Sequence, residues 1–354
     1  MQKTFLAAVV ASVVAGQAMA VSVVDDGTNK FTVGGHVGMR YAYESGQKDK
    51  SDLSTKGDSS RINFQFESKL NEDVTAFARA EWGFDVTKHG EDFKFTNRLG
   101  FVGVKHADFG SISIGQQWSS YSTVAMWTDN FATTGGDASG MYGNWGDYNG
   151  TARANDALQY NFSAGGMNIS AQFQAGGSAK TKPDNDWEAG VTSESQQNRT
   201  RDRSYGIAAS YDLPMGLSFG GAYNQTKFVQ SSEKDAKALV LAAKFDQGPI
   251  YAAFSFSDVK NHATYNSSTF EKARGYELYG SYQLTEAIKV GGGYNQLTDE
   301  ADQFKDETQL KYFPVEVVYT AGPVQLSATY TVENSKRAGK DVENKVVAQI
   351  RYYF

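Results

Sequence analysis

The strongest constraint on the fold is an alternation of apolar and polar residues, with a period of two, that recurs along most of the chain. In one such segment Val324 and Leu326 flank Gln325, and the pattern continues to position 333. Such alternation is typical of a β-strand whose two faces meet different surroundings. We count sixteen segments of this kind, near residues 31–43, 61–70, 74–85, 97–105, 110–118, 153–163, 167–176, 203–213, 216–227, 237–246, 249–259, 274–284, 286–297, 307–319, 324–333 and 345–354. The sequence therefore predicts an all-β protein.

The connections between these segments alternate in length. Short turns fall at 71–73, 107–108, 164–166, 214–215, 247–248, 285 and 321–322. Longer polar connections fall near 44–60, 86–96, 119–152, 177–202, 228–236, 260–273, 298–306 and 334–342. This pattern is typical of a transmembrane β-barrel, in which short turns face the periplasm and long loops face the cell exterior.

The composition of the polar face indicates which side of the sheet meets water. It includes Arg, Lys, Glu, Gln and Asn, which cannot be buried without partners. A barrel of sixteen strands is too wide to fill with side chains and encloses an aqueous lumen. We therefore expect the polar face to line this lumen and the apolar face to meet lipid, while the closed sheet pairs every backbone polar group. The predicted fold is an antiparallel sixteen-stranded transmembrane β-barrel.

Composition excludes several other classes of protein. The mean hydropathy is −0.49, and no apolar run after position 20 is long enough for a membrane-spanning helix. The chain has no Cys, which excludes disulfide scaffolds and Cys-ligated metals. Forty acidic and 34 basic residues give a net charge of −6, so nucleic acid is not an expected partner. Because its four His residues are scattered and no catalytic motif is present, we predict neither an enzyme nor a metal or cofactor site.

The first twenty residues are typical of a secretory signal peptide. Lys3 provides the positive start, an apolar core covers 5–15, and Ala18-Met19-Ala20 has the small-x-small pattern of a cleavage site. Cleavage would leave residues 21–354 as the barrel domain and would change the net charge to −7 by removing Lys3. We therefore expect an exported protein.

Three segments carry a resemblance to a known family. Residues 98–105 read Arg-Leu-Gly-Phe-Val-Gly-Val-Lys and precede Asp-Phe-Gly-Ser at 108–111, the longest loop covers 119–152, and the chain ends in Tyr-Tyr-Phe. Together they resemble the Gram-negative general-diffusion porins, trimeric sixteen-stranded barrels of the outer membrane. The resemblance implies a channel for passive diffusion of ions and small hydrophilic solutes. It also implies a homotrimer surrounded by outer-membrane lipid and lipopolysaccharide, with Phe354 as a barrel-assembly signal.

The resemblance also indicates which residues would narrow the pore. The loop at 119–152 corresponds to the family's third loop, which folds into the lumen, and Asp129 matches one of its acidic residues. Arg61, Arg98 and Arg153 match an arginine cluster on the opposing wall. The resemblance therefore implies a constriction between an acidic loop and a basic wall.

The alternation within strands gives an independent indication of which side chains face the lumen. Ile62 belongs to an apolar face, so Arg61 is expected to face the lumen. By the same reasoning Leu99 and Phe101 are expected to face lipid, so that Arg98 faces the lumen. In the segment 74–85, Arg79 and Glu81 are also expected to face the lumen. The predicted pore constriction comprises Arg61, Arg79, Glu81, Arg98, Asp129 and Arg153.

Two departures from the family pattern affect the expected ion selectivity. Ala132-Thr133 stand where the family has Pro-Glu, which removes an acidic charge, and Gly35 stands where a Lys is common. The acidic loops and the negative mature charge favour cations, whereas the lumen arginines oppose them. We therefore expect only a weak cation preference.

The outward face of the third segment is composed of small residues, namely Ala76, Ala78 and Ala80. Contact with lipid usually selects Leu, Val and aromatic residues, whereas small residues allow a neighbouring surface to approach closely. We therefore expect this face to pack against another subunit of the homotrimer.

Two segments do not fit the simple pattern. Pro314 lies within the run 307–319, where it removes a ladder donor, so we expect a bulge or a late strand start there. The segment 238–245 has apolar residues on both faces, so the alternation does not define its register.

Two alternative functions remain open. A substrate-specific channel would have a ladder of aromatic residues along its lumen, whereas the predicted inward set is mainly Gln, Ser, Asn and charged residues. A secreted all-β adhesin or lectin would bury its apolar face. The many charged residues on the opposite face argue against that arrangement.

Overall fold

The computed structural model describes residues 20–44, 53–88, 90, 93–142, 145–179, 199–230, 234–265, 268–304, 309–337 and 339–354. Apart from Ala20, the predicted signal peptide lies outside the described residues. Within those ranges, no helix has the length and apolar character needed to cross a membrane. Two short helices, α1 (Ser122–Ala125) and α2 (Gly146–Asn149), both lie in the connection 119–152, which we call loop 3.

Sixteen long strands form the wall of the molecule. They are β1 (Asn29–Glu44), β2 (Ser60–Lys69), β3 (Val74–Phe84), β4 (Thr96–His106), β5 (Gly110–Trp118), β6 (Arg153–Ala164), β7 (Met167–Gln174), β8 (Arg199–Asp212), β9 (Leu217–Phe228), β10 (Ala236–Gln247), β11 (Ile250–Lys260), β12 (Lys272–Gln283), β13 (Ile288–Asp299), β14 (Leu310–Ala321), β15 (Val324–Glu333) and β16 (Lys345–Tyr353). Each strand pairs antiparallel with the next along the chain, and β16 pairs with β1. The sheet therefore closes on itself, which confirms the predicted sixteen-stranded barrel.

β1 closes the barrel because its two halves have different partners. The first half pairs with β2 and the second half with β16. Two short strands, Val21–Asp25 and Leu53–Gly57, pair with the remaining flanks of β1. At the end of the chain, the Gly35 amide donates to the Phe354 carbonyl at 2.9 Å, and the Phe354 amide donates to the Gly35 carbonyl at 3.1 Å. The last residue thus completes the seam between the first and last strands.

The connections follow the predicted alternation. Even-numbered strands are followed by tight turns, such as residues 165–166 after β6 and 248–249 after β10. Odd-numbered strands are followed by longer segments, including loop 3 after β5. All the tight turns therefore lie at one rim of the barrel and all the long loops at the other.

The outer surface of the barrel is apolar. Val102 and Ile114, for example, leave 58% and 60% of their surface exposed on this side. The opposite faces carry polar residues such as Ser113, Gln159 and Gln172, which point inward. This distribution gives lipid an apolar surface and gives the lumen a polar one.

The faces of β4 differ from the prediction. Arg79 pairs with Phe101 across the β3–β4 ladder, and Glu81 pairs with Leu99. Directly paired residues share a face, so Phe101 and Leu99 face the lumen together with the two charged residues. The expectation that they face lipid is wrong, and Val102 provides the outward face instead.

Arg98 faces the lumen because of a β-bulge. Glu81 pairs with Leu99 but Trp82 pairs with Asn97, so Arg98 is an extra residue in β4. A bulge of this kind disrupts the strict alternation of faces. Arg98 and Leu99 consequently lie on the same side of the sheet. The predicted orientation of Arg98 thus agrees with the structure, but for a different reason.

The apolar inward face of β10 is explained by loop 3. The pairing of β10 with β9 and β11 is continuous, so its register is well defined. Its inward residues Ala238, Val240 and Ala242 belong to one buried cluster with Val124 and Trp127 of loop 3. Loop 3 therefore packs against the inner wall. The wall side chains under the loop are apolar and small because they must leave room for it.

Pro314 causes neither the expected bulge nor a displaced strand. β14 begins at Leu310 and keeps one register with β13 on both sides of the proline, although the ladder pairs at Phe313 and Pro314 are missing. On its other edge, Pro314 pairs with Thr331 of β15. The barrel thus accommodates the missing donor by a local gap in one ladder.

The packing of loop 3 on β10 can be tested with one pair of substitutions. Ala242→Leu adds volume beneath loop 3, and overpacking of this kind costs about 1–3 kcal/mol. We expect loop 3 to detach more often, so that chymotrypsin cleaves at its aromatic residues about fivefold faster or more. Ala243→Leu makes the same change on the outward face of the same strand and should be digested at the wild-type rate. Equal digestion of the two variants would contradict the packing.

Candidate functional site

Loop 3 is attached to the inner wall through two buried carboxylates. Glu277 of β12 is 1% exposed and accepts hydrogen bonds from the backbone amides of Ala138 at 2.7 Å and Ser139 at 2.9 Å. Glu316 of β14 accepts a hydrogen bond from the Ala132 amide at 2.8 Å. A buried backbone amide or carboxyl oxygen is costly to leave without a hydrogen-bond partner. These two side chains therefore define the path of loop 3 across the lumen.

Neutral side chains fix both ends of loop 3. The carbonyl of Asn149 accepts hydrogen bonds from Ser204 at 3.0 Å, Asn224 at 2.6 Å and Thr226 at 2.8 Å. At the other end, the Ser120 hydroxyl lies 2.7 Å from the Ser170 hydroxyl. Loop 3 is thus held along its length and narrows the lumen as a fixed structure.

Three arginines on the wall share one carboxylate, and we call this group the arginine cluster (Arg61, Arg79, Arg98 and Glu81). Glu81 Oε1 lies 2.8 Å from Arg98 Nε and 3.8 Å from Arg61 Nη1, and Glu81 Oε2 lies 2.9 Å from Arg79 Nη2. Glu81 is 3% exposed. The cluster therefore keeps an excess of positive charge on the lumen wall.

The cluster depends on three adjacent strands. Arg61 lies on β2, Arg79 and Glu81 lie on β3, and the bulge brings Arg98 of β4 toward them. The Nε atoms of Arg61 and Arg79 are buried and make no hydrogen bond to any described residue. The guanidinium groups thus retain unused donor capacity.

The other two predicted constriction residues have partners within loop 3. Arg153 forms an ion pair with Asp147 at 3.0 Å, and its backbone amide donates to the same carboxylate at 2.8 Å. Asp129 accepts a hydrogen bond from the Tyr142 hydroxyl at 2.8 Å. The charges of Arg98 and Arg153 act on the same hydroxyl. Tyr142 therefore lies between the acidic loop and the basic wall.

Asp129 is a loop carboxylate whose pKa is altered by its surroundings. Burial raises its pKa to about 6; the hydrogen bond from Tyr142 lowers it, and the charge of Asp137 raises it further. Its negative charge is therefore present at neutral pH and is lost as the pH falls through about 6.

Sequence reasoning missed several charged groups at the constriction. Arg351 of β16 forms a bidentate pair with Asp58, at 2.5 Å and 3.1 Å. The alternation of β16 already assigns Arg351 to the polar face, but the family resemblance did not select it. Glu277 and Glu316 also lie on polar faces, and no local pattern shows that loop 3 would reach them.

Part of the predicted subunit surface, Ala76 and Ala78, lines a groove on the outer face of the barrel. The groove has a volume of about 810 Å³. Its mainly apolar lining includes Phe31, Phe66, Ala76, Ala78, Val102, Val104, Ile112, Ile114 and Leu158. Ala80 lies on the same outward face but outside the groove. The small side chains of β3 thus form the floor of a recess between larger ones.

The arrangement has the properties of a pore. In the part of the chain that the structure describes, no three His, Asp or Glu side chains are grouped to hold a metal ion. The lumen presents fixed charges of both signs on facing surfaces, which can orient and select solutes without forming covalent bonds.

Comparison with known sequences agrees with this description. A sequence profile described as Gram-negative porin matches residues 6–336. The outer membrane porin PhoE of Enterobacter cloacae is 28% identical over 338 residues, covering 90% of this chain and 89% of its own length. The outer membrane porin F of Xenorhabdus nematophila is also 28% identical and covers 90% of this chain and 87% of its own length.

Comparison with solved structures shows the same fold. Salmonella typhi OmpF, determined in complex with daunomycin, superposes with a TM-score of 0.76 at 18% identity, covering 94% of this chain and all of its own. The anion-selective porin from Comamonas acidovorans superposes with a TM-score of 0.68 at 18% identity, covering 92% of this chain and all of its own.

Proposed function

The chain belongs to the Gram-negative porin family, and on that premise we propose that it carries ions and small hydrophilic solutes across the outer membrane by passive diffusion. It is an outer-membrane porin and not an enzyme. The observation that supports passive diffusion is the fixed loop 3 inside a wide barrel, opposite the arginine cluster. A lumen narrowed in this way admits solutes by size and charge and needs no moving part or energy source.

The proposed constriction consists of Arg61, Arg79, Glu81, Arg98, Asp129 and Arg153. Its support is that Arg61, Arg79 and Arg98 meet at Glu81, while Tyr142 connects Asp129 to the basic side. Opposite charges across a narrow passage create a transverse field that orients dipolar solutes. Large apolar molecules gain nothing from this field and must give up water to enter.

We propose a weak preference for cations. Its support is the excess of 40 acidic over 34 basic residues and the presence of Asp129, Asp137 and Asp147 on loop 3. The arginine cluster opposes this preference and keeps it small. The barrel fold alone does not determine ion selectivity, since a porin of the same fold is described as anion-selective.

We further propose a homotrimer in contact with outer-membrane lipid and lipopolysaccharide. The apolar outer surface suits lipid, and the groove floored by Ala76 and Ala78 suits a protein neighbour that fits between Phe66 and Val102. Vibrio cholerae OmpT, which has this fold, is described in a trimer form. Residues 1–20 are proposed to be removed on export, which leaves 21–354 as the barrel.

Two other functions are less well supported. Family membership excludes the secreted adhesin or lectin as the main function. A substrate-specific channel would need a ladder of aromatic side chains along the lumen, whereas the described inward faces near the arginine cluster are mostly polar and carry two aromatic residues, Phe77 and Phe101.

Conductance across a planar lipid bilayer tests the channel function. Detergent-purified protein should insert with large ohmic current steps, and single trimers should close in three equal substeps. The pores conduct because the lumen is aqueous at every level. Folded protein that inserts but carries no current would contradict the proposal.

The subunit surface is tested with a large side chain in the groove. Ala78→Trp should fill the recess and abolish SDS-resistant oligomers, because the neighbouring surface can no longer approach. Ala243→Trp makes the same change on the outward face of β10 and should leave the oligomers intact. Oligomers that persist in Ala78→Trp would count against this interface.

The pH dependence of selectivity tests the role of Asp129. Protonation removes its negative charge as the pH falls through about 6, so the ratio of cation to anion permeability should decrease between pH 8 and pH 5. Ordinary carboxylates remain ionised over most of this range. Reversal potentials in a salt gradient measure the ratio. Asp129→Asn should weaken the pH dependence, and Asp341→Asn, on the hairpin formed by Lys336–Arg337 and Lys340–Asp341, should leave it unchanged.

A further inference from the structure

Two phenyl rings face the aqueous lumen beside the arginine cluster. Phe77 of β3 and Phe101 of β4 lie on the same face as Arg79, and their ring centroids are 6.2 Å apart with an interplanar angle of 76°. Both rings are partly exposed. Apart from these rings and the buried Leu99, the lumen wall here is mainly polar, with Asn63, Gln65, Glu67, Thr75, Lys105, Ser111 and Ser113 on the inward faces of the neighbouring strands.

The shape of the wall holds the rings in place. A Cβ atom at Gly103 would lie 2.5 Å from Cζ of Phe77, so the glycine allows this ring to lie directly against the backbone of β4. Loop 3 does not account for the rings, since its buried cluster is formed with β8–β14, on another part of the wall. An apolar surface that faces water and is not covered by loop 3 offers a place where the ring of a solute can pack.

Charges of both signs flank the two rings, with Arg79 and Lys105 on the lumen face of β3 and β4, and Glu67 of β2 as the direct cross-strand neighbour of Phe77. Arg79 is the direct cross-strand neighbour of Phe101, and side chains so paired have Cβ atoms about 5 Å apart. Lys105 lies on the same lumen face beyond Gly103. Arg79 shares Glu81 with two other guanidinium groups and meets it through Nη2 alone, while 20% of its side chain stays exposed to the lumen. The cluster therefore has capacity for a second carboxylate.

From this geometry we propose that the lumen contains a weak binding subsite for aromatic carboxylates. The aromatic ring of the solute packs on Phe77 and Phe101, and its carboxylate meets the guanidinium of Arg79. Because Phe101 and Arg79 are direct cross-strand neighbours, one small solute such as benzoate can contact both side chains. The inference rests on the proposed channel function and adds to it a class of solute that is retained during passage.

Benzoate block of the channel current tests the subsite. Benzoate added to one side should reduce single-channel conductance in a saturable way, whereas acetate at the same concentration should not, because it lacks the ring. The double variant Phe77→Leu/Phe101→Leu should require about fivefold more benzoate for half-maximal reduction, since aromatic pairs add modest specific affinity. Arg79→Gln should make the channel respond equally to benzoate and benzyl alcohol.

Phe219→Leu is the matched control for loss of a phenyl ring. Phe219 lies on the outward face of β9, so this variant should keep the wild-type response to benzoate. If the double variant does not insert into the bilayer, the single variant Phe101→Leu is measured in its place. Equal responses to benzoate and acetate, or an unchanged response in the Leu variants, would overturn the subsite while normal conductance would still support the channel. Absence of conductance in the wild type would instead count against the proposed function itself.

Discussion

The structure depends on one requirement of the bilayer, that no backbone amide or carbonyl be left without a hydrogen bond in hydrocarbon. A sheet meets this requirement only when it has no free edge, and the pairing of β16 with β1 removes the last one. Closure with sixteen strands then produces a lumen too wide for side chains to fill. Water inside and lipid outside follow, and the alternation of polar and apolar residues follows from these two solvents.

Loop 3 converts this wide tube into a narrow passage, and it does so by building a small protein core inside the barrel. Small inward residues such as Ala222, Ala242 and Ala253 make room for Val124 and Trp127. Glu277 and Glu316 accept hydrogen bonds from the backbone of loop 3 and are therefore not free to bind solutes in the pore. Two wall carboxylates are thus structural, so the free charges at the constriction are fewer than a count of acidic residues suggests.

Much of the fold could be predicted from the sequence, because the alternation of residues is set by the two solvents and is visible in most strands. The sixteen strands, the alternating loop lengths and the closed barrel follow from it. The faces of Leu99 and Phe101 could not be predicted, because a single inserted residue at Arg98 reverses the alternation and carries no local signal. The inward direction of the apolar face of β10 could not be predicted either, because it depends on packing against loop 3, which lies more than 80 residues earlier in the chain.

The hydrogen bonds between Gly35 and Phe354 have a consequence for how the protein is made. The barrel is closed by contacts between residues at opposite ends of the chain, such as His36 and Tyr353. Contacts of the greatest possible sequence separation slow folding, because the whole intervening chain must be ordered before they form. Until β1 and β16 pair, both strands expose unpaired edges. A chain in which this pairing has not formed is therefore a substrate for aggregation or for chaperones, and the hydrogen bonds between Gly35 and Phe354 help to end this exposure.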